Sequence, residues 1–304
     1  MDRVLGWFGG LSRAQRGHLA MLAFSALVAG SFSLGAMAAK FVSPAALTVA
    51  RFALAGSLVG VVAALGAGIP RQTWAAPWRF VVLGGLLAAY FVLMFWGLQT
   101  AAAVPTAAVF TLTPVMAAGF GWLLLGQVTT ARMVTALTIG AAGALWVIFR
   151  GDPAALLRLE VGRGEVIYFF GCIAHAVYAP MVRKLNRGES ALVFTFGTML
   201  AGFGLLCLWG WRDVLATDWT ALPAIVWICL VYVAVAASSM TFVLLQFATL
   251  RLPSAKVMAY TYLVPSWVIL WELALGRAAP PPTVLVGVAL TVLALVLLLK
   301  DEAA

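Results

Sequence analysis

Apolar residues run along the chain in blocks of about twenty, each closed by a short polar or glycine- and proline-bearing link. A block of that length is what a helix needs to cross roughly 30 Å of hydrocarbon at about 1.5 Å per residue. Ten such blocks predict ten helices, over 18–39, 44–66, 77–100, 104–125, 131–149, 164–184, 190–211, 222–248, 253–276 and 280–300. The links are short. The longest, RGDPAALLRLEVGR at 150–163, is the one charged segment of any size. It divides the chain into two five-helix halves, 1–150 and 164–304, joined by a linker at 151–163.

Composition agrees with a membrane solvent. Of the 304 residues, 64% are hydrophobic and 10% charged, against about 25% charged in a soluble domain. A soluble chain this apolar would expose large patches and aggregate. The net charge of +9 does not point to nucleic acid, because the basic residues sit in the links and no basic cluster carries interleaved aromatics. The partners expected are membrane lipid and a small-molecule substrate, with the chain acting as a monomer. Gly56 and Gly60, a small-xxx-small pair, read as packing within the chain. Cys172, Cys207 and Cys229 lie inside apolar blocks without metal-ligand spacing, so they read as packing residues. No metal or cofactor is expected.

Arg3, Arg13 and Arg16 precede the first block and AMA at 36–38 resembles a signal-peptidase site. The block is longer than a signal-peptide core, so it reads as a retained first span. Ten spans put both ends on one side. On that side fall Arg3, Arg13, Arg16, Arg71, Arg79, Arg132, Arg183, Lys184, Arg187, Arg251, Lys256 and Lys300. The other side holds Lys40, Arg150, Arg158, Arg163, Arg212 and Arg277. Twelve basic residues against six places both termini in the cytoplasm.

The two halves resemble each other. TLTPVMAAGFGWLLLGQ at 111–127 and TYLVPSWVILWELALGR at 261–277 both pass through a mid-span proline to Leu-Gly and a turn. Pro114 aligns with Pro265, and each stretch precedes one last apolar helix. AGSFSLGAMAAK at 29–40 stands opposite IAHAVYAPMVRK at 173–184, which pairs Ser31 with His175 and Lys40 with Lys184. Five helices per unit is an odd number, so equivalent helices cross in opposite directions. The expected fold class is therefore an all-α polytopic membrane protein with ten transmembrane helices in two inverted five-helix repeats. Inverted repeats build carriers whose site lies near the midplane between the halves.

GSFSLGAMAAKFVSPAALTVARFALAG at 30–56, VFTLTPVMAAGFGWLLLGQ at 109–127 and the two five-helix units resemble the drug/metabolite transporter superfamily, in particular its EamA-type ten-helix members. Ser43, Pro44, Leu47, Arg51 and Phe52, with the mid-span Thr-Pro-Val, carry the resemblance. The aromatic-rich, carboxylate-poor spans are most similar to the YddG type of exporter. This implies efflux of aromatic and other apolar amino acids from a bacterial cytoplasm across the inner membrane. Two departures stand out: Gln127 occupies a position where glutamate is usual, and the second half has no arginine equivalent to Arg51.

Counting inward from span ends puts Ser31, Tyr90, Thr113, Pro114, His175, Tyr178, Ser238, Ser239, Tyr262 and Pro265 near the midplane. Polar side chains there should face protein or a cavity. His175 reads as a substrate contact or a pH-sensitive gate, or as a neutral histidine bonded to a neighbouring helix. Tyr90 and Tyr262 suit a ligand with an apolar body and polar ends; helix packing is the alternative. Trp96, Trp267 and Trp271 form a partial aromatic set toward the outer half, where Trp271 serves equally as an interfacial anchor. Ser239 and its neighbour Ser238 fit helix packing as well as ligand contact. Gln99 and Gln246 end their spans and read as interface caps. Arg51 is expected to snorkel outward or bind helix-terminal carbonyls, with capture of a carboxylate as the other reading. Pro114 removes a backbone donor, so the Phe110 carbonyl loses its helical partner unless Thr111, Thr113, water or substrate supplies one. Pro114 and Pro265 are thus candidate hinges, and Ser31, Tyr90, Trp96, Thr111, Thr113, His175, Tyr178, Ser239, Tyr262 and Trp267 are the candidate substrate contacts. A membrane-embedded metalloenzyme or diacid enzyme does not fit two histidines and no midplane acid. Nor does a channel, which would carry a filter or charged ring.

Overall fold

The computed structural model describes residues 12–66, 68–158 and 160–299; Arg3 and Lys300 of the charge count lie outside them. Among the described residues ten helices are long and apolar enough to cross a membrane. They are α1 (Arg13–Ala38), α2 (Pro44–Leu65), α3 (Trp78–Leu98), α4 (Ala103–Leu125), α5 (Ala131–Ile148), α6 (Arg163–Leu185), α7 (Ala191–Ala216), α8 (Ala224–Thr249), α9 (Ser254–Ala274) and α10 (Pro282–Leu299). A 3₁₀ turn at Arg71–Ala75 and a short helix at Pro153–Leu157, capped by Asp152, are the smaller elements.

Local chemistry sets the ends. α1 starts five residues before the expected 18 because Ser12 and Gln15 form a reciprocal capping box, which satisfies two orphan donors. Ser43, Thr130 and Ser190 accept from the backbone N–H groups of Ala46, Met133 and Val193. Caps of this kind contribute about 1 kcal/mol each. Ser43 and Ser190 open the second helix of each half. The helices that carry the prolines stop alike: Gly126 and Gly276 lie in the left-handed region at φ 64° and 73°, which glycine adopts without steric cost.

Packing has the symmetry of an inverted repeat. The pairs α2–α7, α4–α9 and α5–α10 join equivalent helices of the two halves. The remaining cross-half contacts come as equivalent couples: α3–α6 with α8–α1, α3–α7 with α8–α2, and α4–α6 with α9–α1. Exchanging each helix for the one five places on therefore returns the same arrangement. Small residues permit the closest approaches. A Cβ on Gly84 of α3 would lie 2.4 Å from the backbone nitrogen of Gly202 on α7, and one on Gly143 of α5 would lie 2.7 Å from the Gly287 carbonyl oxygen on α10. Gly56 and Gly60 face Met199 and Phe196 of α7, which is packing inside the chain. Large apolar side chains such as Leu65, Trp122, Leu123, Phe170 and Leu208 point outward, as a lipid-facing surface requires.

On the face where α1 begins and α10 ends, Arg79 at the start of α3 is buried and clasps the other half. Its guanidinium donates to Glu189 Oε1 at 2.7 Å and to the Leu185 carbonyl at 2.7 Å. Burial pushes the Glu189 carboxyl up, but the hydrogen bonds from Arg79 and from nearby backbone N–H groups, with the Arg79 charge, outweigh it and hold it below its ordinary value near 4.5. A carboxylate with a depressed folded value contributes stability that is fully present above its ordinary range and is lost as pH falls through the folded value. Glu189→Gln should therefore melt below the parent protein at neutral pH, and the gap should narrow as pH falls below the ordinary value near 4.5 and through the depressed one. Melting curves across that range check it, and a gap independent of pH contradicts it.

Candidate functional site

Two of the ten spans are broken at their prolines. α4 stops at Phe110, makes a tight turn through Thr111 and Leu112, and resumes at Thr113. Pro114 cannot donate to the Phe110 carbonyl, and the Thr113 hydroxyl donates to it instead. The Thr111 hydroxyl donates to the Ala108 carbonyl at 2.6 Å. Both threonines are fully buried, and their hydroxyls bond backbone carbonyls at the break. α9 breaks differently. A 3₁₀ turn over Tyr260–Leu263 precedes Pro265, and the Val264 N–H bonds the Thr261 carbonyl that Pro265 leaves orphaned. Thr291 of α10 donates to the Tyr262 carbonyl at 3.0 Å.

A third irregularity, in α8, carries no proline. Residues Val235–Met240 form a π-helical segment, a wider turn that occurs often at functional sites. The Ser238 and Ser239 hydroxyls bond the carbonyls five residues back, Val233 at 2.7 Å and Ala234 at 2.8 Å. Arg51 of α2 docks on this segment. Its Nε donates to Ser238 Oγ and its Nη2 to the Ala237 carbonyl, each at 2.5 Å. The guanidinium lies 3.7 Å from the centroid of the Phe91 ring, a cation–π contact. Arg51 is 0% exposed, so the expected outward snorkelling does not occur. The π segment supplies inward acceptors that a regular helix keeps for itself.

Aromatic rings from both halves meet beside Arg51. The Tyr90 and Tyr168 hydroxyls bond at 3.0 Å. The His175 ring lies 4.4 Å from that of Tyr90 and 5.1 Å from that of Phe110. Phe110 stacks on Tyr90 at 5.7 Å, and Phe32 meets both Phe110 and Tyr168. Phe110 is held there by the break that follows it. His175 stacks on Tyr178, whose hydroxyl accepts from Gln246 at 3.0 Å. Three residues linked to these rings carry buried polar atoms with no hydrogen-bond partner, Arg51 Nη1, His175 Nδ1 and Gln246 Oε1, and Ser31 Oγ and Tyr262 Oη are unpartnered elsewhere in the spans. Orphaned buried polar atoms are rare in proteins, and here they come from both halves.

Of the candidates, Tyr90, His175 and Tyr178 belong to this linked set of rings, and Thr111 and Thr113 flank it beside Phe110. Ser31 is buried with its hydroxyl unpartnered. Tyr262 packs instead against Gly140 of α5, where a Cβ would meet its ring. Trp267 donates to Ser25 of α1 at 3.2 Å. Trp96 is 49% exposed and lines an apolar lateral recess of about 340 Å³ between α3 and α7 with Trp209. Ser239 lines a larger one, about 670 Å³, between α1, α2 and α8, with Leu58, Val62 and Phe247. Tyr168, Phe110, Phe32 and Gln246 were not among the candidates. Phe110 had a signal, its place four residues before a mid-span proline. Gln127, the departure in α4, accepts from the Ser254 N–H at the start of α9 at 3.1 Å, an acceptor role that amide and carboxylate share.

A sequence profile of the EamA-like transporter family matches residues 15–149 and 162–300. Over 261 residues the chain is 23% identical to a Bacillus subtilis (strain 168) protein named as the uncharacterized transporter YyaM, covering 85% of this chain and 86% of that one. A crystal structure of a protein 22% identical in sequence superposes with a TM-score of 0.71, covering 96% of this chain and 98% of the other. That likeness speaks for the fold.

The bond across the α4 break has a direct consequence. Thr113→Val leaves the buried Phe110 carbonyl without its donor and should cost about 1–3 kcal/mol, whereas Thr113→Ser keeps the hydroxyl and should cost less. Thermal unfolding of the two purified variants compares them; equal melting temperatures contradict the assignment.

Proposed function

The chain belongs to the EamA-like transporter family, and from that premise we propose that it exports amino acids, aromatic and apolar ones preferred, or similar small metabolites from the cytoplasm. The halves 1–150 and 164–304, joined by the linker 151–163, alternate access to a central site and bend at the breaks beside Pro114 and Pro265. The protein works in a bacterial inner membrane with both termini in the cytoplasm, as the basic residues of its links favour. The observation that carries the reading is the buried centre. Rings of Phe32, Tyr90, Phe110, Tyr168 and His175 converge from both halves, and residues linked to them carry unpartnered polar atoms. Such a lining suits a ligand with an apolar body and polar ends.

A second reading, export of other metabolites or drugs, is favoured by the apolar recess of about 670 Å³ between α1, α2 and α8. It would admit lipophilic cargo from the bilayer. Counterflow in liposomes separates the two. Labelled phenylalanine should accumulate with saturable kinetics, and Tyr90→Ala and His175→Ala, purified as folded protein, should each lower the rate about tenfold, the effect of roughly 1.4 kcal/mol. Wild-type rates in both variants contradict the site. Absence of transport across all amino acids contradicts the substrate class.

A further inference from the structure

We propose that the ligand of the central site must carry a carboxylate, and that Arg51 is the residue that receives it. The inference rests on the reading of that centre as the transport site and adds a chemical requirement to it.

Two arginines are fully buried among the described residues. Arg79 has its carboxylate, Glu189, at 2.7 Å. Arg51 has none. Its bonds go to two neutral oxygens, Ser238 Oγ and the Ala237 carbonyl, and its plane rests on the Phe91 ring. Among the described residues no acid pairs with Arg51. Glu165 sits in the first turn of α6, and Glu272 pairs with Arg277 at 3.4 Å. Taking a guanidinium out of water costs several kcal/mol, and neutral acceptors offset that less well than an anion does. An uncompensated cation in the interior of a membrane protein calls for a counter-charge that the described chain does not provide.

The geometry leaves one edge of the fork for it. Nε and Nη2 are engaged on α8, while Nη1 is buried and unpartnered. Phe91, under the guanidinium, lies 4.5 Å from Tyr90 ring to ring. The guanidinium is thus one ring away from the aromatic centre, a spacing that suits an anionic group attached to an apolar body. The one positive charge of Arg51 is matched locally by one carboxylate, whereas a doubly charged phosphate would leave its second negative charge without a partner there. The second half offers no duplicate. Ser190 caps α7 as Ser43 caps α2, and the residue eight places on (198 − 190 = 51 − 43) is Thr198, whose hydroxyl is spent on the Phe194 carbonyl.

Four compounds with one aromatic body test the requirement by titration calorimetry on the purified full chain in lipid nanodiscs: phenylalanine, phenylalaninamide, 2-phenylethylamine and 3-phenylpropanoate. The two carboxylates should bind at least about tenfold more tightly than the two compounds without one, roughly a 1.4 kcal/mol difference. Arg51→Gln should erase that preference and Arg51→Lys should keep it. Equal binding of all four to the unaltered protein overturns the proposal whether or not the variants fold, and so does a preference that survives in Arg51→Gln. Binding of 3-phenylpropanoate without phenylalanine removes the amino acid reading and leaves this one standing. Binding of none of the four overturns both.

Discussion

Inside hydrocarbon, every polar group must find its partner within the chain. The irregular features of this protein are answers to that constraint. Where Pro114 removes a donor, Thr113 supplies one. Where Pro265 does the same, a tightened turn brings in the Val264 N–H. Where α8 widens into a π segment, Ser238, Ser239 and the Arg51 guanidinium occupy the acceptors. At Thr113, Val264, Ser238 and Arg51 these repairs are buried. Against them, Arg51 Nη1, His175 Nδ1 and Gln246 Oε1, on residues linked to the Tyr90 and His175 rings, have no partner.

The inverted repeat explains where these atoms lie. Equivalent helices pair across the halves, so the centre is lined by both copies. The copies share architecture and not chemistry. Serine caps, left-handed glycines and mid-span prolines recur at matching positions. In the alignment of the halves Arg51 corresponds to Thr198, and Ser31 to His175. A symmetric scaffold with an asymmetric lining would let the proposed carrier bend in two equivalent ways while offering one oriented site.

Much of this was legible in the sequence. Twenty-residue apolar blocks located all ten spans, and a Ser-x-x-Gln signature marks the true start of α1. The proline in TLTPV announced the α4 break and the carbonyl at stake. Depth counting was weaker, because it assumes straight helices and says nothing of which side is covered. Tyr168 and Gln246 were placed near the rims or overlooked, yet both are buried. The close approach of Gly164 to Gly97 draws the start of α6 against α3 and brings Tyr168 onto Tyr90. Trp96 shares a helix with Tyr90, but six residues at about 100° each turn it roughly 120° away, toward the surface. The π segment in α8 has no proline to announce it, so the inward course of Arg51 was hidden with it.

The direct test of a shared central site is accessibility. With Cys172, Cys207 and Cys229 replaced, a single Ser31→Cys thiol is exposed to a membrane-impermeant reagent in right-side-out and in inverted vesicles. A site that alternates between the two faces predicts labelling from both sides, slowed by phenylalanine in each case. Labelling from one side alone, or from neither, contradicts it.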